Sequence, residues 1–314
     1  MHIMPTVKIA LATYNGSKYI CRQLDSLLAQ TYPNLEIYIR DDGSTDGTVQ
    51  ILEEYIARNT TDKKITLLEN NGKNLGCPAS FYQIIRECGS ADYYAFCDQD
   101  DIWYPDKVKW AVERLQESKK ESAGTEFPCV YFSACDYYTE EGEFLRHSPV
   151  WTGEVGLTDV LYYTPASGFL LVFNETARQE LVLGVDPGRE LHDRWLLRGA
   201  ACFGKVIPDS RCTAAHIRHS KAVTAEDSSN SNLVRSFLKN EICGTAMTDS
   251  KGDLGYFLCA FQERLSKSQR KVLELFAAPN RFGRQVRKLF YPKRLRVRLA
   301  GEAAIRILFL IGKI

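Results

Sequence analysis

At 314 residues the chain is long enough for one domain of about 220 residues and an appendage, because single cores stop growing near about 250–300 residues. With 45% hydrophobic and 25% charged residues it has a globular composition. No apolar run reaches the roughly 18 residues that cross a bilayer, and the first residues run into a strand without a basic, apolar, small-residue leader pattern. The ten cysteines form no CxxC pair and do not cluster, which argues against a zinc or disulfide framework and for reduced thiols in a cytoplasmic protein.

Val7 to Thr13 is a continuous apolar run and reads as a buried strand. Ser17 is positioned to cap the next helix, whose apolar residues Ile20, Leu24, Leu27 and Leu28 keep helical spacing. Leu35 to Arg40 alternates as a second strand and ends in Asp41-Asp42-Gly43-Ser44-Thr45-Asp46, before a helix with Val49, Leu52 and Ile56 on one face. Ile65 to Glu69 is a third strand, followed by a helix through Phe81, Ile84 and Ile85, and Tyr93 to Cys97 is a fourth. This repetition of strand, polar loop and helix indicates a parallel sheet with helices on its faces. Ligands of such sheets sit beyond the carboxyl ends of the strands, where Asp41-Asp42 and Asp98 to Asp101 converge.

Asp98, Asp100 and Asp101 crowd three like charges, which a cation among them relieves; hard oxygen ligands suit Mg²⁺ or Mn²⁺, and such a metal would hold phosphates. The other reading is an acidic turn capping the helix that starts near Pro105-Asp106. Downstream, Ser167-Gly168-Phe169 opens another apolar run, and Ala225 to Asn232 is polar and low in complexity, a linker or a lid. Helical spacing follows at Leu233, Phe237 and Ile242, and again at Phe257, Phe261 and Leu265. The chain therefore divides into residues 1–224 and a helical region, 225–314.

Residues 279–314 carry ten Lys or Arg and one acid, Glu302, so this tail is +9 on a body of −8. Leu299, Ile305, Leu308, Phe309 and Ile311 beside Arg294, Arg296, Arg298 and Arg306 fit an interfacial helix on an anionic membrane surface. They equally fit a helix packed on its own domain with arginines outside. No nucleic-acid-binding module accompanies the charge, and nucleic acid is not expected as a partner.

Four ordered motifs, Thr13-Tyr14-Asn15-Gly16, Gln30-Thr31-Tyr32, Asp41-Asp42-Gly43-Ser44-Thr45-Asp46 and Asp98-Gln99-Asp100-Asp101, resemble the signatures of family-two glycosyltransferases with the GT-A fold. The form Cys97-Asp98-Gln99-Asp100-Asp101-Ile102-Trp103 is similar to bacterial members that assemble surface polysaccharides, many of them rhamnosyltransferases. The resemblance covers roughly residues 5–220. It implies an α/β, Rossmann-like fold, with a mostly parallel central sheet flanked by helices and a helical C-terminal appendage. The implied activity is metal-dependent, inverting transfer from a nucleoside-diphosphate sugar, with L-rhamnose from dTDP-rhamnose as the expected case, to a lipid-linked glycan acceptor in cell-surface polysaccharide synthesis. The implied location is cytoplasmic, peripheral on the inner face of the membrane.

The same resemblance assigns residues. Asp100 is the metal ligand, Asp98 contacts ribose or metal, and Asp101 backs them or caps a helix. Ala12, Tyr14, Asn15, Asp42, Asn74, Asp98, Gln99 and Arg218 line the donor site, with Tyr14 against the base, Asp42 accepting its imide N–H and Arg218 clamping the diphosphate. In Leu191-His192-Asp193-Arg194-Trp195, Asp193 is the general base, and His192 competes with it or caps the helix. In His216-Ile217-Arg218-His219, either His219 or His216 approaches the metal. Trp103, Trp195 and Tyr163 line a sugar platform or belong to the core.

Two readings from other classes stand beside this one. A DxD-type phosphatase uses Asp98-x-Asp100 but expects a nucleophile after the first strand, which here ends in Thr13-Tyr14-Asn15. A noncatalytic sugar-binding protein on the same fold has no need of Asp100 and Asp193 together. A dehydrogenase is disfavoured, since no GxGxxG follows the first strand.

Overall fold

The computed structural model describes residues 4–70, 72–188, 190–218 and 246–314. They fall into two units, one of Met1–Glu154 with Pro165–His219, the other of Val155–Thr164 with Ser220–Ile314.

In the first unit, β1 (Val7–Thr13) lies between β2 (Leu35–Asp41) and β4 (Tyr93–Cys97), parallel to both, and β3 (Lys64–Leu67) continues the sheet beyond β2. A strand covered on both faces reads as an apolar run rather than an alternation, which is why Val7, Ile9 and Leu11 show no exposed surface. The crossovers α1 (Ile20–Leu28), α2 (Thr48–Arg58) and α3 (Ala79–Glu87) bury Leu24 and Leu27, Leu52, and Phe81, Ile84 and Ile85.

Beyond β4 the sheet changes direction. Two-residue β5 (Ile102–Trp103) and α4 (Lys107–Glu121) precede the long β6 (Cys129–Thr139), which pairs with β7 (Phe144–His147). β8 (Leu171–Asn174) runs antiparallel to β4 and β6; α5 (Glu175–Arg178) and α6 (His192–Phe203) lead to β9 (Lys205–Arg218), parallel to β6 and antiparallel to β5. The strand order is β3-β2-β1-β4-β8-β6-β9-β5. The repeated strand–loop–helix units thus form the parallel half, and the sheet as a whole is mixed.

Ser17 does not cap α1. Its backbone N–H donates to Asp46 at 3.0 Å, and the helix begins at Ile20, with Gly16 O accepting from the Tyr19 and Ile20 amides.

The second unit is helical: α7 (Ala246–Ala260), α8 (Lys267–Ala277), α9 (Phe282–Leu289) and α10 (Leu299–Leu310). Ser266 and Gln269 close a capping box on α8. Phe276 meets Phe309 at 5.8 Å, and Tyr162 stands edge-on to both. Ile305, Leu308 and Phe309 are buried, while Leu299 and Ile311 are exposed, so the apolar residues of the tail divide between packing and surface. Arg306 is a packing residue too: it donates to the carbonyls of Lys288, Leu289, Tyr291 and Lys293 and pairs with Glu302. Ala225 to Asn232, Leu233, Phe237 and Ile242 lie outside the described residues. Among the described residues no helix is long and apolar enough to cross a membrane.

Candidate active site

Strand register brings the sequence motifs together. Thr13 pairs with Asp41 and Leu11 with Cys97, so the loops leaving β1, β2 and β4 are neighbours, and Ala12 lies at the end of β1 beside them. The Gln99 side chain joins two of these loops: its Oε1 accepts from the Thr13 hydroxyl at 2.6 Å and the Tyr14 N–H at 2.9 Å, and its Nε2 donates to Tyr14 O at 3.1 Å. A Cβ at Gly16 would fall 2.2 Å from that Oε1, which explains the glycine. Asn15, in the left-handed region at φ 50°, receives Thr45 N–H on its Oδ1 at 2.9 Å and donates its own N–H to Ser44 Oγ at 2.7 Å. Gly16 N–H donates to Thr48 Oγ1 at 2.9 Å. The Asp46 carboxyl is held below the usual carboxylate range, because bonds from Thr48 and Ser17 outweigh the burial that opposes them. Tyr14 itself is exposed.

Adjacent Asp41 and Asp42 have different work. Asp41 Oδ1 accepts from the Gly43 and Ser44 amides at 3.0 and 2.8 Å and closes its own turn. Asp42 is buried, pairs with the Arg40 guanidinium, and accepts from Leu75 N–H at 2.9 Å and Gly76 N–H at 2.6 Å. Burial opposes ionisation of Asp42, and these donors overcome it and keep its pKa low. Arg40 also donates to Ser80 Oγ at 3.1 Å and Lys73 O at 2.9 Å. The imide-accepting role read for Asp42 therefore competes with a bracing one, in which Arg40 and Asp42 fix the loop that carries exposed Asn74. Sequence reasoning passed over Arg40, whose only signal is a cation near the end of an alternating strand.

The acidic loop after β4 is held on its other side by β9. Ile102 pairs with Ala215, which sets Asp101 beside His216, and Asp101 Oδ1 lies 2.7 Å from His216 Nδ1. The imidazole is stacked on Phe169 at 5.3 Å and meets the Tyr137 ring edge-on at 5.4 Å. Burial opposes protonation of His216, but the Asp101 bond and the charges of Asp98 and Asp100 raise its pKa overall. Asp98 is pushed well above the usual carboxylate range, by burial first and then by Asp101 and Asp100. Asp101 is buried, and its Oδ2 has no hydrogen-bond partner among the described residues. An orphaned buried oxygen within a crowd of mutually destabilised carboxylates is a donor set that fits a hard dication. His216 is the histidine the structure brings to this cluster; His219 lies outside the described residues. Arg218 ends β9, with its guanidinium 5.7 Å from the centre of the Tyr137 ring.

Asp193 lies in the first turn of α6, half-buried. Burial lifts its pKa above the ordinary carboxylate value, against the Arg194 N–H and charge, and Asp193 in turn adds to the repulsion on Asp98. Cys77 feels both: its thiol is pushed up to about 12, by loss of solvent first and then by Asp98 and Asp193. No motif pointed to this cysteine.

The competing base, His192, is corrected by its surroundings. It is buried 4.4 Å from the rings of both Phe81 and Phe96, its ring nitrogens have no partner among the described residues, and burial drops its pKa to about 3. Such an imidazole stays neutral and away from solvent. Trp103 and Trp195 are buried as well, Trp195 donating from Nε1 to Leu181 O at 2.6 Å, and serve the core rather than a sugar platform. Tyr163 belongs to the second unit.

Comparison with known proteins gives a family match over part of the chain. Residues 8–142 match the family model described as Glycosyl transferase family 2. The dTDP-rhamnosyl transferase RfbG of Shigella flexneri is 40% identical over 107 residues, 33% of this chain and 36% of that protein. An uncharacterized glycosyltransferase of Haemophilus influenzae is 29% identical over 185 residues, 57% of this chain and 55% of the relative. The matched regions thus span about a third to a half of these relatives. Among solved structures, Staphylococcus aureus TarS, residues 1–349, in complex with UDP-GlcNAc superposes with a TM-score of 0.59 at 17% identity, covering 97% of this chain and 81% of that one. This likeness is one of fold, and the fold is GT-A.

Proposed function

With residues 8–142 belonging to glycosyl transferase family 2, we propose that this protein is an inverting glycosyltransferase that moves a sugar from a nucleoside-diphosphate donor to a glycan acceptor, with L-rhamnose from dTDP-rhamnose as the sugar. The observation that carries the reading is the pairing of two acidic groups from different elements beyond the same strand ends: Asp98 to Asp101 after β4, and Asp193 at the start of α6. The rhamnose assignment rests on the partial match to the Shigella flexneri enzyme.

In this mechanism the ordered loops of Tyr14, Asn15 and Asp42 receive the nucleotide, and Arg218 faces its diphosphate. Asp98 and Asp100, with His216 behind Asp101, would hold Mg²⁺ or Mn²⁺, which supplies charge neutralisation of the leaving diphosphate. Asp193 takes the proton from the acceptor hydroxyl as its oxygen bonds to the anomeric carbon, and the electron pair of the broken C–O bond leaves with the nucleoside diphosphate. One base and one displacement invert the configuration. The desolvation that raises the Asp193 pKa makes it the better base. A phosphatase reading lacks a nucleophile after β1.

The acceptor is read as lipid-linked because the second unit presents apolar and basic groups together: Phe282 is 84% exposed, Phe290 76% and Leu299 77%, among exposed Arg281, Arg287, Lys293, Arg294 and Arg298. The corresponding partner is an anionic membrane surface.

Thermal denaturation with dTDP-, UDP- and GDP-sugars, with and without Mn²⁺, tests the donor class, since a ligand that binds only the native state raises the midpoint. A Mn²⁺-dependent rise largest for dTDP-rhamnose is the expected result, and no rise with any nucleotide sugar overturns the reading.

A further inference from the structure

Three different donor types converge on β6, β7 and β9. Asp136 on β6, His147 on β7 and Cys212 on β9 offer one oxygen, one nitrogen and one sulfur within 4.8 Å of one another. Asp136 and His147 are direct cross-strand partners. Cys212 reaches them through a register shift: β9 advances by three positions, from Cys212 to Ala215, while β6 advances by two, from Ala134 to Asp136. The Tyr104 hydroxyl donates to Asp136 Oδ2 at 2.7 Å and so fixes the carboxylate while Oδ1 faces His147.

We propose that Asp136, His147 and Cys212 hold a Zn²⁺ ion, with water completing a four-coordinate site. Thiolate, imidazole and carboxylate together suit this borderline-soft dication better than Mg²⁺ or Ca²⁺. Zinc–ligand distances of about 2.0–2.3 Å at tetrahedral angles separate the ligand atoms by about 3.3–3.6 Å. Cys212 Sγ already lies 3.7 Å from His147 Nδ1, whereas Asp136 Oδ1 is at 2.6 Å and must open by about 0.7 Å on metal entry. The His147 side chain, 69% exposed, can turn that far and leaves the fourth position to solvent. The ion would tie the β6–β7 hairpin to β9 four residues before His216. Cysteine spacing gave no sign of it because the ligands come from three strands.

The full chain, stripped of metal, is titrated with Co²⁺ as a spectroscopic stand-in, followed by Zn²⁺ competition. A thiolate-to-cobalt charge-transfer band with tetrahedral ligand-field absorption is expected, bleached by one equivalent of Zn²⁺. Cys212→Ser should abolish the charge-transfer band, His147→Ala should weaken Zn²⁺ binding by about tenfold or more, and Asp100→Ala should leave both intact. His147 is exposed, so its replacement keeps the test open if the Cys212 variant misfolds. Absence of the band, its persistence in Cys212→Ser, or unchanged Zn²⁺ affinity in His147→Ala overturns the site.

Discussion

The α6 turn that presents Asp193 is fastened by a buried ion pair, and cutting it has a calculable cost. Glu190 precedes the helix and Arg198 lies in its second turn; their side chains are 1% and 2% exposed, and the guanidinium donates to the carboxylate. Tyr82 adds a bond to Glu190 O at 3.1 Å from α3. Replacing Arg198 with Met keeps much of the volume but takes the cation away from a buried carboxylate, which costs up to about 3–5 kcal/mol. For a unit of this size each kcal/mol lowers the melting midpoint by about 2–4 °C, so Arg198→Met should melt up to roughly 6–20 °C below the parent. Removing both charges, Glu190→Gln with Arg198→Met, should recover a large part of the loss, because the penalty comes from keeping the buried carboxylate charged without Arg198 rather than from the missing attraction. Urea denaturation of the parent, both single variants and the double variant closes the cycle. If Arg198→Met lies within about 1 kcal/mol of the parent, or the double variant is simply the sum of the singles, the pair does not brace α6 as argued.

Three further outcomes follow from the site and the tail. Asp193→Asn should reduce transfer about 10²–10⁴-fold, a loss of about 3–5.5 kcal/mol of transition-state stabilisation, with donor affinity nearly unchanged in titration calorimetry. Because burial raises the Asp193 pKa, its basic form is lost as pH falls through a value above the ordinary carboxylate range. The acid limb of kcat should sit there and vanish in the Asn variant. Asp100→Ala should remove metal-stimulated nucleotide binding while leaving the melting midpoint of the unliganded protein unchanged or higher, since it relieves repulsion on Asp98. Reversing Arg287, Arg294 and Arg298 to Glu should weaken sedimentation with anionic vesicles by at least about 100-fold at low salt, at about 1 kcal/mol per lost basic group; equal sedimentation at low and high salt would refute the membrane reading.

The parallel half of the sheet was legible because its strands are covered on both faces and its helices on one, so Val7 to Thr13 and the Leu24, Leu27 and Leu52 positions carry the burial pattern directly. The meeting of Asp98 to Asp101 with the β1 and β2 loops followed from parallel strands, whose carboxyl ends share one edge of the sheet. Harder to read was whatever depends on partners distant in sequence. Trp103 and Trp195 have the residue type of a sugar platform and the environment of a core, and type alone cannot tell these apart. His192 and Asp193 are adjacent, yet one faces Phe81 and Phe96 and the other the acidic cluster, a difference of helix azimuth. Asp41 and Asp42 separate in the same way, because side chains alternate at the end of a strand. In the tail, Arg306 reads from sequence as a surface cation, yet four carbonyls converge on it.

The most direct test of the central claim is the stereochemistry of slow donor hydrolysis, in which water stands in for the acceptor. The full chain is incubated with Mn²⁺ and dTDP-L-rhamnose, and the first-formed free sugar is followed by proton NMR before its anomers equilibrate. Asp193 acting as the sole base predicts that the sugar emerges with inverted configuration and that Asp193→Asn releases it at least about 100-fold more slowly. Retained configuration, or release at the parent rate from the Asn variant, would contradict a single displacement driven by Asp193.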